Sequence, residues 1–133
     1  MSRHEIRNSA FELLFAQEIN DYLPEELVAI NEEFEETEID SNVKNLFFNT
    51  LIHKQELDSI IESLSTKRSI SRIPKSALSI LRLALYEIKY DENVPVSVAI
   101  NEAVLLAKEY CDEPDVSFVN GLLGAYSRNA EKE

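Results

Sequence analysis

Apolar and polar positions recur along this chain with the period of α-helices almost from end to end. From Ile6 the stripe runs through Ala10, Leu13, Leu14 and Gln17, with Phe11 and Phe15 widening it. Spacing by three and four gathers such residues on one helical face. Ser2-Arg3-His4-Glu5 fits a capping box, with Ser2 as N-cap and Glu5 at the third helical position. A first helix is therefore predicted from about Arg3 to Asn20. Pro24 at a first helical position opens a short second helix carrying Leu27, Ile30 and Phe34 as its apolar stripe. Asp40 or Ser41 can cap a third, with Val43, Leu46, Phe47, Thr50 and Leu51 facing inward.

The stripe restarts as Leu57, Ile60, Ile61 and Leu64, so the third helix either bends near His53–Gln55 or gives way to a fourth. Ser65 to Ser71 is polar and reads as a loop. Pro74 opens the most regular helix, with Ala77, Leu78, Leu81, Ala84, Leu85 and Ile88 as its core stripe, and Asp91-Glu92-Asn93 ends it. Pro95 precedes a helix from about Val96 to Tyr110, and Pro114 precedes a last one from about Asp115 to Arg128. Helices of this length on short connections can pack directly on their neighbours. Two glycines and four prolines leave little turn chemistry for a many-stranded sheet. The pattern predicts an all-α fold, one domain of 133 residues forming a compact helical bundle.

Two residues interrupt the apolar runs of the C-terminal third. Asn101 lies with Val98 and Leu105 on the flank of one predicted helix, and Asn120 falls beside Val116 and Leu123 on the next. Asn competes with the helical backbone for hydrogen bonds, and a buried carboxamide without partners costs on the order of 1–3 kcal/mol. Each therefore either locks helices in register or meets a ligand. Gly121, beside Asn120, costs roughly 1 kcal/mol relative to Ala in a helix interior, which suits a close approach by another backbone or a ligand.

Charge narrows the function classes. The net charge of −12 is lopsided: residues 1–66 hold 15 acids and 4 bases, residues 67–133 hold 10 acids and 9 bases. Between Glu18 and Asp40 there are ten acids and no base, which reads as a solvated helix face. Such a field repels phosphate, so a nucleic-acid role needs a local basic patch or a basic partner. Arg3, His4 and Arg7 form one basic group at the start of the first helix; Lys67, Arg68, Arg72 and Lys75 form another. Phe118 could present a ring for stacking on a base.

Nothing in the sequence supports catalysis. No P-loop, dinucleotide fingerprint, nucleophile elbow or zinc-helix motif is present. His4 and His53 lack a second ligand at helical spacing, and the carboxylates Glu32, Glu33, Glu35 and Glu36 lack the spacing of a metal loop. Cys111, the single cysteine, has Glu109, Asp112 and Glu113 beside it, which oppose a thiolate. No cofactor, metal or catalytic residue is expected. With no secretory leader and no apolar run of about 18 residues, the expectation is a cytoplasmic protein without a membrane partner.

The wording of several strings carries a resemblance. Ile80-Leu-Arg-Leu-Ala-Leu-Tyr-Glu87, Val94-Pro95, Val98-Ala-Ile-Asn-Glu-Ala103, Ala107-Lys108 and Phe118-Val-Asn-Gly121, in that order, resemble the NusB family of transcription antitermination factors. Ser2-Arg-His-Glu-Ile-Arg7, followed by Ala10, Leu13, Leu14 and Phe15, resembles that family's basic opening helix. The resemblance implies about seven helices in two packed helical subdomains and a non-enzymatic role. It implies binding of boxA-type ribosomal RNA together with NusE, a small-subunit ribosomal protein, within an RNA polymerase antitermination complex.

By the same resemblance, Arg3, His4, Arg7, Phe118 and Asn120 would be RNA-binding. Asn101 and the neighbouring Glu102 would be structural polar residues, Asn101 fixing helix packing. Here His4 stands where the family often has Arg, Ile6 where it has Ala, Ala77 where an acid is common, and Ser117 where Lys or Arg is common. Two other readings stay open. One is an RNA-binding appendage like those of ribosomal RNA cytosine methyltransferases, against which the chain's end at Glu133 argues. The other is a homodimeric interaction protein without antitermination activity.

Overall fold

A computed structural model describes residues 1–131; Lys132 and Glu133 lie outside the described residues. Among the described residues there are seven α-helices and no strand: α1 (Arg3–Ile19), α2 (Pro24–Glu35), α3 (Ser41–Ile52), α4 (Lys54–Leu64), α5 (Lys75–Tyr90), α6 (Val96–Tyr110) and α7 (Glu113–Glu131). A single 3-10 turn, Ile70–Arg72, sits in the polar stretch before α5. The chain divides into two compact units, Met1–Ile52 with α1–α3 and His53–Glu133 with α4–α7.

In the first unit the capping box forms as the sequence predicts. The Ser2 hydroxyl accepts from the Glu5 N–H at 3.1 Å and the Glu5 carboxylate accepts from the Ser2 N–H at 3.0 Å. Helix α2 has half of that device: Glu26 accepts from the Leu23 N–H at 3.1 Å, and Leu23 has no side-chain oxygen to return the bond. Its C-terminus closes as a Schellman motif. Glu36 is left-handed at φ 55°, its N–H donates to the Glu33 carbonyl, and the Thr37 N–H donates to the Glu32 carbonyl. The core is built from Ala10, Phe11 and Leu14 of α1, Leu27 and Val28 of α2, and Val43 and Phe47 of α3. Thr50, fully buried, returns its hydroxyl to the Leu46 carbonyl at 2.7 Å.

One part of the predicted α2 stripe is corrected. Leu27 is buried, but Ile30 is 43% exposed and Phe34 84% exposed. Helical spacing shows that 27, 30 and 34 share a face; it cannot show that a neighbour is there to cover the whole of it. The acidic run is likewise more than a solvated face. Glu32 accepts from the Ile39 N–H at 2.8 Å and pairs with Lys44 at 2.9 Å, tying the α2–α3 connection to both helices. The Lys44 bond, then the Ile39 bond, holds the Glu32 carboxyl below its usual range.

The second unit begins where the helical stripe restarts. His53, at φ −96° and ψ 9°, breaks the helix, so α3 gives way to a separate α4 instead of bending. Helix α5 is the centre of the unit and packs on α4, α6 and α7. It is buried nearly all round: besides the predicted stripe, Ser79, Ile80, Arg82, Leu83 and Glu87 are buried. The Ser79 hydroxyl donates to the Lys75 carbonyl at 2.8 Å. Arg82 forks onto Asp58 of α4, Nε to Oδ1 at 2.7 Å and Nη2 to Oδ2 at 2.9 Å. Helix α7 starts two residues earlier than expected, with Pro114 inside its first turn. This is permitted because first-turn N–H groups have no helical acceptor for a proline to forfeit.

At the end of α5, the Tyr90 ring meets His53 at a tilt of 40°, with ring centroids 4.3 Å apart, and its hydroxyl donates to Glu56 at 2.5 Å. Lys89 lies 3.3 Å from the same carboxylate. Among the described residues no helix is long and apolar enough to cross a membrane.

Three measurements test this account. Asp58→Ala leaves a buried guanidinium without its fork and is expected to cost about 3 kcal/mol. Arg82→Met should cost less, because the Asp58 left behind is a quarter exposed and can hydrate. Urea unfolding of both variants checks the order. Glu36→Gly, which relieves a left-handed non-glycine residue and an acid at a helix C-terminus, should raise stability by about 1 kcal/mol. Tyr90 is pushed up to about 12, first by its bond to Glu56 and then by desolvation. The raised value means that the Tyr90–Glu56 tie contributes below the ordinary tyrosine range and is lost as pH rises through about 12. An ultraviolet titration should show a late-titrating tyrosine, absent in Glu56→Gln.

Candidate nucleic-acid interface

Each unit carries part of the predicted site. In the first, the capping box fixes the start of α1 and holds Arg3 and His4 at its exposed end. Arg7, expected beside them on the surface, is only 5% exposed. It stands three residues before Ala10 and four before Phe11, so it continues the buried stripe toward the N-terminus. That spacing was visible in the sequence, but the charge of Arg7 drew it into the basic patch instead.

In the second unit the loop after α4 and the first turns of α7 build a small cluster. The Ser65 hydroxyl donates to the Arg68 carbonyl, folding the loop back on itself. The Arg68 guanidinium then meets Asp115, Nη1 to Oδ1 at 2.7 Å, and its central carbon lies 4.6 Å from the Phe118 ring centroid. Asp115 and Phe118 are three residues apart on α7 and so share a face. The arginine and the aromatic ring that the sequence supplied separately are therefore adjacent. The cation–π contact covers one face of the half-buried Phe118 ring. The ion pair offsets the charge of Arg68; Lys67, Arg72 and Lys75 of this stretch are exposed.

The two asparagines share one feature. Asn101 and Asn120 are both exposed, and both line an open cavity of about 500 Å³ between α6 and α7. Ser97 and Ser117 add hydroxyls, and Ile100, Val104 and Val116 add apolar surface. Asn120 thus faces the seam between α6 and α7, and Asn101 faces it from the other helix. Val98 and Leu105, on the same flank as Asn101, are themselves 42% and 43% exposed. The residues of α6 that face the core are Ala99, Ala103, Leu106 and Ala107. Glu102 is half-buried and engaged with a partner. Ala77, at the position where an acid is common in the resembled family, is fully buried.

Nothing in this arrangement is a reaction centre. Cys111 is half-buried at the end of α6, 3.5 Å from the Ser76 hydroxyl. Burial, with Asp115 and Asp112 nearby, pushes its thiol up, away from a reactive thiolate. Among the described residues no group of three or more His, Cys, Asp or Glu side chains could hold a metal ion.

Comparison with known proteins covers both units. The NusB family model matches residues 4–128. A transcription antitermination protein NusB of Lacticaseibacillus casei (strain BL23) is 40% identical over 126 residues, 94% of this chain and 93% of that protein. The NusB structure from T. maritima matches with a TM-score of 0.84 at 27% identity, over 96% of this chain and 92% of that one. A chain in a crystal structure of antitermination factors NusB and NusE in complex with dsRNA matches with a TM-score of 0.75 at 30% identity, over 94% of this chain and 96% of that one. With sequence, helix order and fold in agreement over nearly its whole length, the chain belongs to the NusB family.

Proposed function

We propose that this protein is a cytoplasmic, non-enzymatic transcription antitermination factor. It binds boxA-type RNA of ribosomal transcripts together with NusE and acts within the RNA polymerase antitermination complex. The observation that carries this reading is the near full-length likeness to a chain from a structure of NusB and NusE with dsRNA. The second unit adds chemical support. Arg68 covers one face of the Phe118 ring, so the remaining ring surface can take a base in an Arg–Phe–base stack. Arg3 and His4, exposed at the start of α1, suit phosphate contacts.

Arg7 takes part differently: from its buried position it supports the helix that carries the other two. Asn120 contributes from the α6–α7 cavity as a hydrogen-bonding group for RNA. With a net charge of −12, affinity for RNA alone is weak and rests on a basic partner.

Fluorescence anisotropy of a boxA-type RNA, titrated with the full chain in the presence and absence of NusE, tests this reading. Binding should tighten with NusE. Phe118→Ala should weaken it by about tenfold, within the range of one lost stacking contact, with stability nearly unchanged. Arg3→Ala should lower the salt dependence by about one unit of slope. Equal affinity with and without NusE, together with indifference to Phe118→Ala, would reject it.

A further inference from the structure

The first unit holds a groove with a chemistry of its own. Its cavity of about 510 Å³ opens between α1, α2 and the start of α3. Leu13, Leu27 and Val43 close its base as nearly buried core side chains, and Glu12, Glu35 and Glu38 stand along the rim. All three rim acids are exposed. Beside the α2 wall, Ile30 and Phe34 add exposed apolar surface, Phe34 at 84% exposure. A phenyl ring so exposed next to a cleft is the usual composition of a protein-binding surface rather than of a solvated helix. The charge around it is one-sided: residues 1–52 carry twelve acids against Arg3, Arg7 and Lys44. Of these bases Arg7 is buried and Lys44 is paired with Glu32.

We infer that this groove and the α2 face beside it dock a cationic amphipathic segment of a partner protein, its apolar side chains against Ile30 and Phe34 and its Lys or Arg residues against Glu12, Glu35 and Glu38. Charge complementarity decides the occupant. RNA phosphate and anionic lipid are repelled by the rim, and a second copy of a chain of −12 is repelled as a whole. A small cation would leave the exposed Ile30 and Phe34 side chains uncovered. A basic helix or strand with apolar anchors satisfies both halves of the surface. The inference rests on this surface alone and is independent of the RNA reading.

The test is a heteronuclear NMR titration of the full chain with a short synthetic Lys/Leu amphipathic peptide, with a Lys/Ser peptide of equal charge beside it. Shifts are expected at groove residues such as Ser9, Ala16 and Asn31, weaker with the Lys/Ser peptide. The variant E35Q/E38Q should lower affinity by about tenfold, and Phe34→Ser should lower it without loss of fold. The variant D21N/E25Q, which removes the same charge outside the groove, should leave affinity unchanged.

Equal losses from the two double variants would reduce the effect to unspecific attraction and overturn the inference. So would shifts spread over the surface, no preference for the Lys/Leu peptide, or no binding at all. Groove shifts produced instead by single-stranded RNA, or by raising the concentration of the protein alone, would assign the surface to another occupant and overturn it equally.

Discussion

A helix buried on every side can hold a charge only if another element supplies the counter-charge, and the second unit is arranged around that constraint. Helix α5 packs on α4, α6 and α7, so Arg82 has almost no access to water. Its bidentate fork onto Asp58 ties α4 to α5 in one register, because two parallel bonds fix orientation as well as distance. The buried Glu87 also has a partner, and the neutral Ser79 satisfies its hydroxyl within α5 by bonding back to the Lys75 carbonyl. The string Ile80-Leu-Arg-Leu-Ala-Leu-Tyr-Glu87, which carries much of the family resemblance, is thus chiefly a packing solution. Its polar residues are internal ties.

Helix number, order and breaks were legible in the sequence because capping residues and prolines act locally. Ser2 and Glu5 close their box, and Pro24 and Pro95 stand where a helix can begin. Burial was less legible, because periodicity marks the apolar face of a helix but not how far a neighbour covers it. Phe34 and Asn101 show the two ways this fails. Phe34 sits on an apolar stripe that runs past the cover α1 and α3 provide, and Asn101 sits on an apolar-looking flank that is open to solvent. Arg7 fails in the opposite sense, since its charge suggests a surface while its spacing from Ala10 and Phe11 puts it inside. The adjacency of Arg68 and Phe118 was not legible at all: 50 positions separate them, and only the fold of the loop after α4 brings them together.

The acids of the first unit divide into two kinds. Glu5, Glu26 and Glu32 are spent on backbone N–H groups, where a carboxylate closes a helix start or a connection. Glu12, Glu35 and Glu38 surround a groove and serve no such purpose in closing helices. An acidic run selected for solubility alone would not need an uncovered phenylalanine beside it. The distinction matters because it separates the charge the fold requires from the charge available for recognition.

The same separation bears on the proposed function, in which a chain of −12 acts on RNA. In the second unit, Asp115 offsets the charge of Arg68 while the guanidinium remains against the Phe118 ring. The pair therefore contributes an oriented aromatic surface more than a positive field. Stacking of this kind is short-ranged and does not draw RNA from a distance, whereas long-range attraction needs net positive charge. In the proposed function, local stacking resides in this chain and attraction is left to a cationic partner, so that contact with RNA would be conditional on assembly. Restoring a basic surface on this protein alone would strengthen its hold on RNA and at the same time remove that dependence.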